Sequence, residues 1–442
     1  MASRNIVAFV VFLLVLVLID LYAYKGVNTA LGGWTVAGRR WVRFVYWGIS
    51  IGMIATLVWA VFNMQELRAN RSYSFFFSLV ALLMLFLLPK LVIIAFHLIE
   101  DLLELLRWVA TRVSAPLDGT GGGDEHTDGE RYSRFRFLSQ LGLALATIPF
   151  AGVLYGITKG RRNFNVERVT VKSPKLPAAF DGLRVVQISD MHLGSFPTGS
   201  DIVQRGIDLI NAENPDLILF TGDLVNDYSE EAEPWLEKLS ALTATVGKFS
   251  ILGNHDYSDY AQWSNAADKA ANLERLKKHH ATMGFRLMLD ERLLISAPAR
   301  ATPDALIPLP PSEGGREPAI ELIGVQNWGT RFQQYGDLKK SLVGSNPSLF
   351  RLLMSHDPTH WEAQVQKERI DLTLSGHTHG AQFGITIAGQ TYSPAQWVYK
   401  HWAGLYEHEG MSLYVNRGFG FIGFPGRVGM PPEITVIELR RA

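Results

Sequence analysis

Five short apolar runs in this 442-residue chain each end on side chains able to bind a metal or move a proton. Residues 183–189 lead into Asp190-Met191-His192, residues 217–221 into Gly222-Asp223, and residues 246–252 into Gly253-Asn254-His255-Asp256. Residues 350–355 lead into His356, and residues 372–375 into Gly376-His377-Thr378-His379. In open α/β sheets, ligands bind beyond the carboxyl ends of the strands. If the extended backbone continues through the motif, Asp190 and His192 point to one side, as do His377 and His379. Glycines before Asp223, Asn254 and His377 remove bulk where the backbone bends or nears a ligand. Mixed imidazole and oxygen donors suit borderline and hard divalent cations. Two such ions, about 3.5–4 Å apart and sharing a carboxylate, can clamp both oxygens of a phosphoryl transfer.

Composition narrows the choice. The chain has no cysteine, so disulfides, zinc–thiolate sites, iron–sulfur clusters and thiol nucleophiles are excluded. Any metal must be held by His, Asp, Glu, Asn or water. Forty-two basic residues balance forty-two acidic ones, which argues against a nucleic-acid partner. The length suits two or three domains. The slightly positive mean hydropathy is concentrated before Thr158.

Four segments there are long and apolar enough to span a bilayer: about residues 6–24, 44–64, 73–99 and 137–158. Asp20 interrupts the first and Lys90 lies inside the third, while Tyr22, Tyr24, Trp41, Tyr46 and Trp47 read as interface anchors. Arg4 before an apolar run gives the first segment a rival reading as a cleaved signal peptide. Residues 100–112 keep helical spacing and read as an amphipathic stem, and residues 115–130, rich in Gly and Asp, as a flexible loop. The first and third loops carry nine Lys/Arg residues against six on the opposite side. Positive loops stay in the cytoplasm, which puts everything after Thr158 outside it.

From residue 166 to 442 the pattern changes to short apolar runs alternating with helical stretches, the mark of an α/β domain. Further strands are expected at 320–325, 413–416 and 434–439, and helices at 201–211, 230–241, 265–283 and 358–366. A Pro-rich stretch, residues 297–318, reads as a surface insertion. The domains are thus a transmembrane region at 1–160 and a catalytic domain at 166–442.

The five motifs, in this order on these strand ends, resemble the calcineurin-like metallophosphoesterase superfamily. Phe180-Asp181-Gly182-Leu183-Arg184 and Pro431-Pro432-Glu433-Ile434 are similar to phrases of its membrane-anchored bacterial branch. The resemblance implies a four-layer α/β/β/α sandwich of two mixed sheets, here preceded by about four transmembrane helices. It implies two divalent ions (manganese, iron or zinc, with manganese favoured). Asp190, His192 and His379 would bind the first, Asp223 would bridge, and Asn254, His356 and His377 would complete the second. His255 would contact a phosphate oxygen or protonate the leaving group, with Asp256 orienting its ring. A hydroxide bridging the ions would attack the phosphorus.

Substrate choice is read from the surroundings. Trp397 and Tyr399 in the aromatic stretch 392–406, and Phe421 after Arg417-Gly418, flank the last motif and could form a lipid-facing lip. Arg417 and Arg427 could contact a phosphate or head group. Four spans exceed what a tether needs, so a lipid or lipid-linked phosphoester is the first expectation, with the bilayer itself as partner. A phosphodiesterase for soluble nucleotides is the alternative, and a non-catalytic receptor a weaker one, because every ligand is present. Residues 133–138 (Ser-Arg-Phe-Arg-Phe-Leu) look like a worn twin-arginine export signal. With the charge imbalance this suggests a multi-pass protein of the bacterial inner membrane whose catalytic domain faces the periplasm. His97 inside a span, and His279, His280, His360, His401 and His408, are read as structural.

Overall fold

The structure, a computed structural model, describes residues 2–69, 73–113, 128–297 and 319–442. It divides into two units, Met1–Tyr155 and Gly156–Ala442. Most of the expected loop 115–130 and nearly all of the Pro-rich stretch 297–318 lie outside the described residues.

The first unit is helical: α1 (Ala2–Ala30), α2 (Val36–Phe62), α3 (Met64–Ala69), α4 (Tyr73–Val113) and α5 (Asp128–Thr158), the last running into the second unit. Among the described residues, four stretches are long and apolar enough to cross a membrane: Val7–Ala30, Val36–Phe62, Tyr73–Ala110 and Phe135–Arg162. The stem expected at residues 100–112 continues α4 without a break. The buried charges Asp20, Lys90 and Glu100 inside the spans have polar partners, as hydrocarbon requires. Lys90 of α4 bonds Asp20 of α1 and gives a 2.9 Å hydrogen bond to Ser50 of α2. His97 sits 2.7 Å from Glu100, which also accepts from Ser139 of α5 at 3.2 Å.

The second unit carries strands β1 (Asn165–Ser173), β2 (Leu183–Ile188), β3 (Leu217–Phe220), β4 (Gly247–Ser250), β5 (Arg286–Leu287), β6 (Glu291–Ser296) and β7 (Ala319–Gly324). After these come β8 (Arg351–Met354), β9 (Leu372–Ser375), β10 (Ile385–Ile387), β11 (Gln390–Tyr392), β12 (Gly404–His408), β13 (Met411–Val415) and β14 (Glu433–Arg441). They form two mixed six-stranded sheets, ordered β1-β14-β2-β3-β4-β5 and β12-β13-β9-β8-β7-β6, and a separate β10-β11 hairpin. Alternation along the strands builds the layers. Val185, Leu217, Leu219 and Ile251 meet Leu322, Leu352, Leu372 and Leu374 between the sheets. The opposite faces of β2 and β3, through Val186, Ile218 and Phe220, bury Val203, Ile207 and Ile210 of α6 (Ile202–Ala212), Leu239 of α7 (Leu236–Ser240) and Leu276 of α8 (Ala266–Thr282). Ile323, Leu353 and Leu413 pack likewise on Leu338 of α9 (Leu338–Ser341) and Trp361 of α10 (Thr359–Ala363). The result is the expected helix–sheet–sheet–helix sandwich.

All eight expected runs form strands. Those not anticipated are the four sheet edges β1, β5, β6 and β12, and the hairpin, whose residues are too polar or too short to make a continuous apolar run. The helix expected over 230–241 is broken into short turns ahead of α7, where Pro234 lacks the N–H that a continuous helix needs.

Candidate metal centre

The strands stop before the chemistry starts. β2 ends at Ile188 and β9 at Ser375, and the motifs that follow are left-handed turns. Asp190, His192, Asp223, His377 and His379 have φ of 54°, 46°, 60°, 72° and 51°. Asp and His tolerate this region better than most residues, yet each such position costs about 1–3 kcal/mol and must be held by its surroundings. Cross-braces between loops hold them. The Asp190 N–H donates to the Gly222 carbonyl (2.9 Å), the His192 N–H to the Asp223 carbonyl (3.1 Å), and the His377 N–H to the Asp190 carboxylate (2.9 Å). Side-chain direction therefore does not follow strand alternation. His377 and His379, expected to share a side, belong to different clusters.

One cluster is Asp190, His192 and His379; the other is Asp223, His356 and His377. In the first, His192 Nε2 lies 3.0 Å from His379 Nε2, which is 3.2 Å from Asp190 Oδ1. In the second, His356 Nε2 is 3.3 Å from His377 Nδ1, and both face Asn254 Oδ1, at 3.1 and 2.9 Å. Asp223 joins them, its Oδ2 standing 3.6 Å from His192 Nε2 and 3.2 Å from His356 Nε2. Two glycines make the approach possible. A Cβ on Gly253 would sit 2.2 Å from Asp223 Oδ1, and one on Gly376 would sit 2.3 Å from Asp190 Oδ2.

This donor set fits divalent cations. Ligand atoms held about 2.0–2.2 Å from one ion stand about 3 Å apart, which is the spacing of these facing ring nitrogens. Nitrogen facing nitrogen is a poor hydrogen bond but a good chelate. The outer nitrogens set the tautomers: His356 Nδ1 donates to the Thr221 carbonyl at 2.7 Å and His192 Nδ1 to Asn226 Oδ1 at 3.1 Å, leaving each Nε2 lone pair inward. Burial holds His192, His377 and His379 below the ordinary imidazole range, so they are neutral and able to coordinate. Burial also acts on His356, but the neighbouring Asp223 carboxylate overrides it and raises that ring to about 10, so its Nε2 lone pair becomes available only when a cation displaces the proton it shares with Asp223.

Three expected roles change. Asp256 does not touch the His255 ring. Its buried carboxylate accepts the backbone N–H groups of Asp223 (2.9 Å), Leu224 (2.8 Å) and Gly253 (2.9 Å), tying the loops after β3 and β4 together. Burial, and then the Asp223 charge, push it up to about 7. The His255 ring is oriented instead by the Asn226 carbonyl, 2.7 Å from its Nδ1. Phe421 is in the core, 5.0 Å from Phe196 between ring centroids, not on a rim. Arg427, expected near a phosphate, is fully buried and donates to the carbonyls of Arg417 (2.7 Å), Gly418 (3.0 Å) and Gly420 (2.9 Å), clamping that loop beside His379. Arg417 pairs with buried Glu433 at 3.3 Å, and Trp397 is open to solvent.

Sequence reasoning missed Asn226, which orients both His192 and His255 and is itself held by Glu231, whose carboxylate accepts its N–H at 2.6 Å. Nothing in the sequence marks an amide three residues past Asp223. Tyr399 fell within the aromatic stretch but without an assigned contact; its hydroxyl lies 2.9 Å from His377 Nε2.

Comparison with known proteins agrees with the geometry. The family model "Calcineurin-like phosphoesterase" matches residues 183–381, and "Probable Calcineurin-like phosphoesterase, transmembrane domain" matches residues 3–161. UDP-2,3-diacylglucosamine pyrophosphatase LpxG of Chlamydia trachomatis is 30% identical over 325 residues, covering 67% of this chain and 96% of that one. The chain is a calcineurin-like metallophosphoesterase. The uncharacterized metallophosphoesterase YkuE of Bacillus subtilis is 29% identical to it over 317 residues, 70% of this chain and 99% of that one. A transmembrane protein with metallophosphoesterase domain from Danio rerio is 30% identical over 298 residues; the match takes in 65% of this chain but 60% of that longer one. This metallophosphoesterase is thus a membrane protein with a four-span amino-terminal region and a metal-dependent hydrolase domain.

Proposed function

We propose that this metallophosphoesterase holds two divalent cations and hydrolyses a phosphate ester or anhydride of a lipid or lipid-linked molecule. Asp190, His192 and His379 hold one ion, Asn254, His356 and His377 the other, and Asp223 is common to both. The observation that carries this is the Asp223 carboxylate, one oxygen of which faces a histidine of each cluster at 3.6 and 3.2 Å. When bound, such ions supply Lewis acidity and charge neutralisation to a phosphoryl group. The protein's own residues do the rest. Turns locked by backbone hydrogen bonds keep the ligands from relaxing apart. His255 spends Nδ1 on the Asn226 carbonyl, so its Nε2 is the atom left to contact a phosphoryl oxygen or pass a proton to the leaving oxygen.

Two observations support a lipid substrate: four spans are more than a tether requires, and the LpxG relative is a pyrophosphatase of a diacylated sugar nucleotide. The Lys/Arg imbalance supports a catalytic unit on the extracytoplasmic face of a bacterial inner membrane. The test is a screen of the purified full-length protein, stripped with chelator and reloaded with manganese, against lipid and nucleotide phosphoesters. Hydrolysis of lipid-linked substrates only with added metal is expected. Full activity in chelator would refute the metal centre. Turnover of nucleotides alone would refute the lipid substrate. An export-dependent reporter fused after Ala442 should be active; an inactive one reverses the topology.

A further inference from the structure

The segment after the last motif has an unusual composition. From Gly380 to Tyr399, twenty residues, there is no charged side chain and no histidine. Within it lie β10 and β11, paired Ile385↔Tyr392, Thr386↔Thr391 and Ile387↔Gln390, and joined to neither sheet. Their two-residue turn, Ala388-Gly389, has φ of 50° and 81° and matches the right-handed twist of a tight hairpin. Cross-strand partners share a face, so Ile385, Ile387, Tyr392 and the uncharged Gln390 lie on one side, and Thr386 and Thr391, bonded through their hydroxyls at 3.0 Å, on the other.

A hairpin with an apolar side ordinarily buries it, because two strands alone are marginal in water. Here that side is open. Ile385 is 60% exposed, Ile387 56% and Trp397 80%. Five of the eight exposed large hydrophobics among the described residues of this unit fall between residues 385 and 398. The base, by contrast, is fixed. Phe383 packs on Phe424 with ring centroids 4.7 Å apart, the Gly384 N–H donates to the Val428 carbonyl at 2.8 Å, and Ser393 donates to the Gly380 carbonyl at 2.7 Å. An apolar, uncharged, rigidly mounted tip with Trp and Tyr at its margin has the chemistry of a membrane-interface anchor. The chain carries its own reason to meet such a surface, since four spans hold it in a bilayer. The patch also continues into the site: Val398 is followed by Tyr399, whose hydroxyl contacts His377.

We propose that the β10–β11 hairpin and the turn through Val398 dock on the lipid surface, at the boundary of head groups and acyl chains, and that amphiphilic substrate reaches the metal centre from there. This consequence rests on the lipid-substrate reading above; the docking itself does not.

The absence of cysteine makes the test direct. Ile385→Cys, Ile387→Cys or Val398→Cys in the full-length protein, in nanodiscs of phosphatidylethanolamine and phosphatidylglycerol, each takes one nitroxide. Val343→Cys, at an exposed position of the same unit, serves as the aqueous control. Docking requires labels at 385, 387 and 398 to favour collision with oxygen over a water-soluble nickel chelate, several-fold more than the label at 343. Labels as open to nickel as the control overturn it. Labels shielded from both report a protein contact, such as a second copy of the chain, and overturn it equally. In the second arm, Ile385→Asp with Ile387→Asp should lower kcat/KM on a lipid phosphoester in vesicles at least about tenfold, with a soluble aryl phosphodiester hydrolysed as before. Undiminished lipid hydrolysis by that variant also overturns docking. Should it lose both activities, the labels alone decide. Inserted labels, together with a wild-type protein that ignores lipid substrates, would leave docking standing and refute the substrate reading instead.

Discussion

Replacing Asp256 with alanine separates a packing role from a catalytic one. The carboxylate is fully buried and accepts three backbone N–H groups within 2.9 Å, from Asp223, Leu224 and Gly253, and a fourth, from Val225, at 3.4 Å. Asp256→Ala leaves those donors in a site without another acceptor. A buried donor stripped of its partner costs about 1–3 kcal/mol. Three close bonds, with some relaxation, come to about 3–6 kcal/mol, at the upper end for a single substitution. For a unit of this size, 1 kcal/mol moves the midpoint by about 2–4 °C, so the melting temperature of the catalytic unit should fall by about 6–24 °C. One lost bond belongs to the Asp223 N–H, so metal retention should fall as well. Asp256→Asn, which keeps one oxygen but turns an amide donor toward N–H groups, should lie between. The measurements are thermal unfolding of the full-length protein in detergent, followed by tryptophan fluorescence, and metal content by mass spectrometry. An Asp256→Ala protein with wild-type midpoint and full metal, but turnover lowered by orders of magnitude, would refute this and return Asp256 to a role in orienting His255.

His255→Gln should leave metal content unchanged and lower turnover on the order of 10²–10⁴-fold, the range for a lost acid or charge stabiliser; concurrent metal loss would make His255 a ligand. Tyr399→Phe removes the hydroxyl 2.9 Å from His377 Nε2 and should weaken metal binding by roughly 10–100-fold in a chelator titration, with the melting temperature of the stripped protein unchanged. His280 is buried against Phe220 with neither ring nitrogen partnered among the described residues, and burial lowers it to about 3. Its folded-state value lies below the ordinary 6.5, so the stability it contributes is present above pH 6.5 and lost as pH falls toward 3. At pH 5 the loss is about 2 kcal/mol. In His280→Phe, whose ring needs no partner, the drop in melting temperature between pH 7.5 and pH 5 should shrink by several degrees; an unchanged drop would show that His280 is not the group responsible.

Much of the architecture was legible in the residues. The four spans could be read because crossing hydrocarbon demands about twenty apolar residues, a requirement local to each helix. The central strands could be read because burial on both faces needs unbroken apolar runs such as Leu217–Phe220 and Leu372–Ser375. Edge strands such as β1 and β12 were hidden because one open side relaxes that demand.

The chemistry divided along the same line. Residue types and order, from Asp-x-His to Gly-His-x-His, are local facts, and they sufficed to name a phosphoester hydrolase and to single out candidate ligands, six of which the fold gathers into two clusters. Where those side chains point was decided by backbone turns that only neighbouring loops can impose. His377 and His379, two apart, enter different clusters, whereas Asp190 and His192, two apart and equally left-handed, share one. Phe421 and Arg427 carry no mark of their depth, since a phenylalanine serves a core or a rim equally and an arginine can be buried wherever enough carbonyls converge on it. Asn226, Asp256 and Tyr399 acquire their roles from hydrogen bonds to distant segments, with partners up to 34 positions away. Composition and periodicity act along the chain, and these contacts act across it, so the sequence determined what the site is made of and folding alone decided how it is aimed.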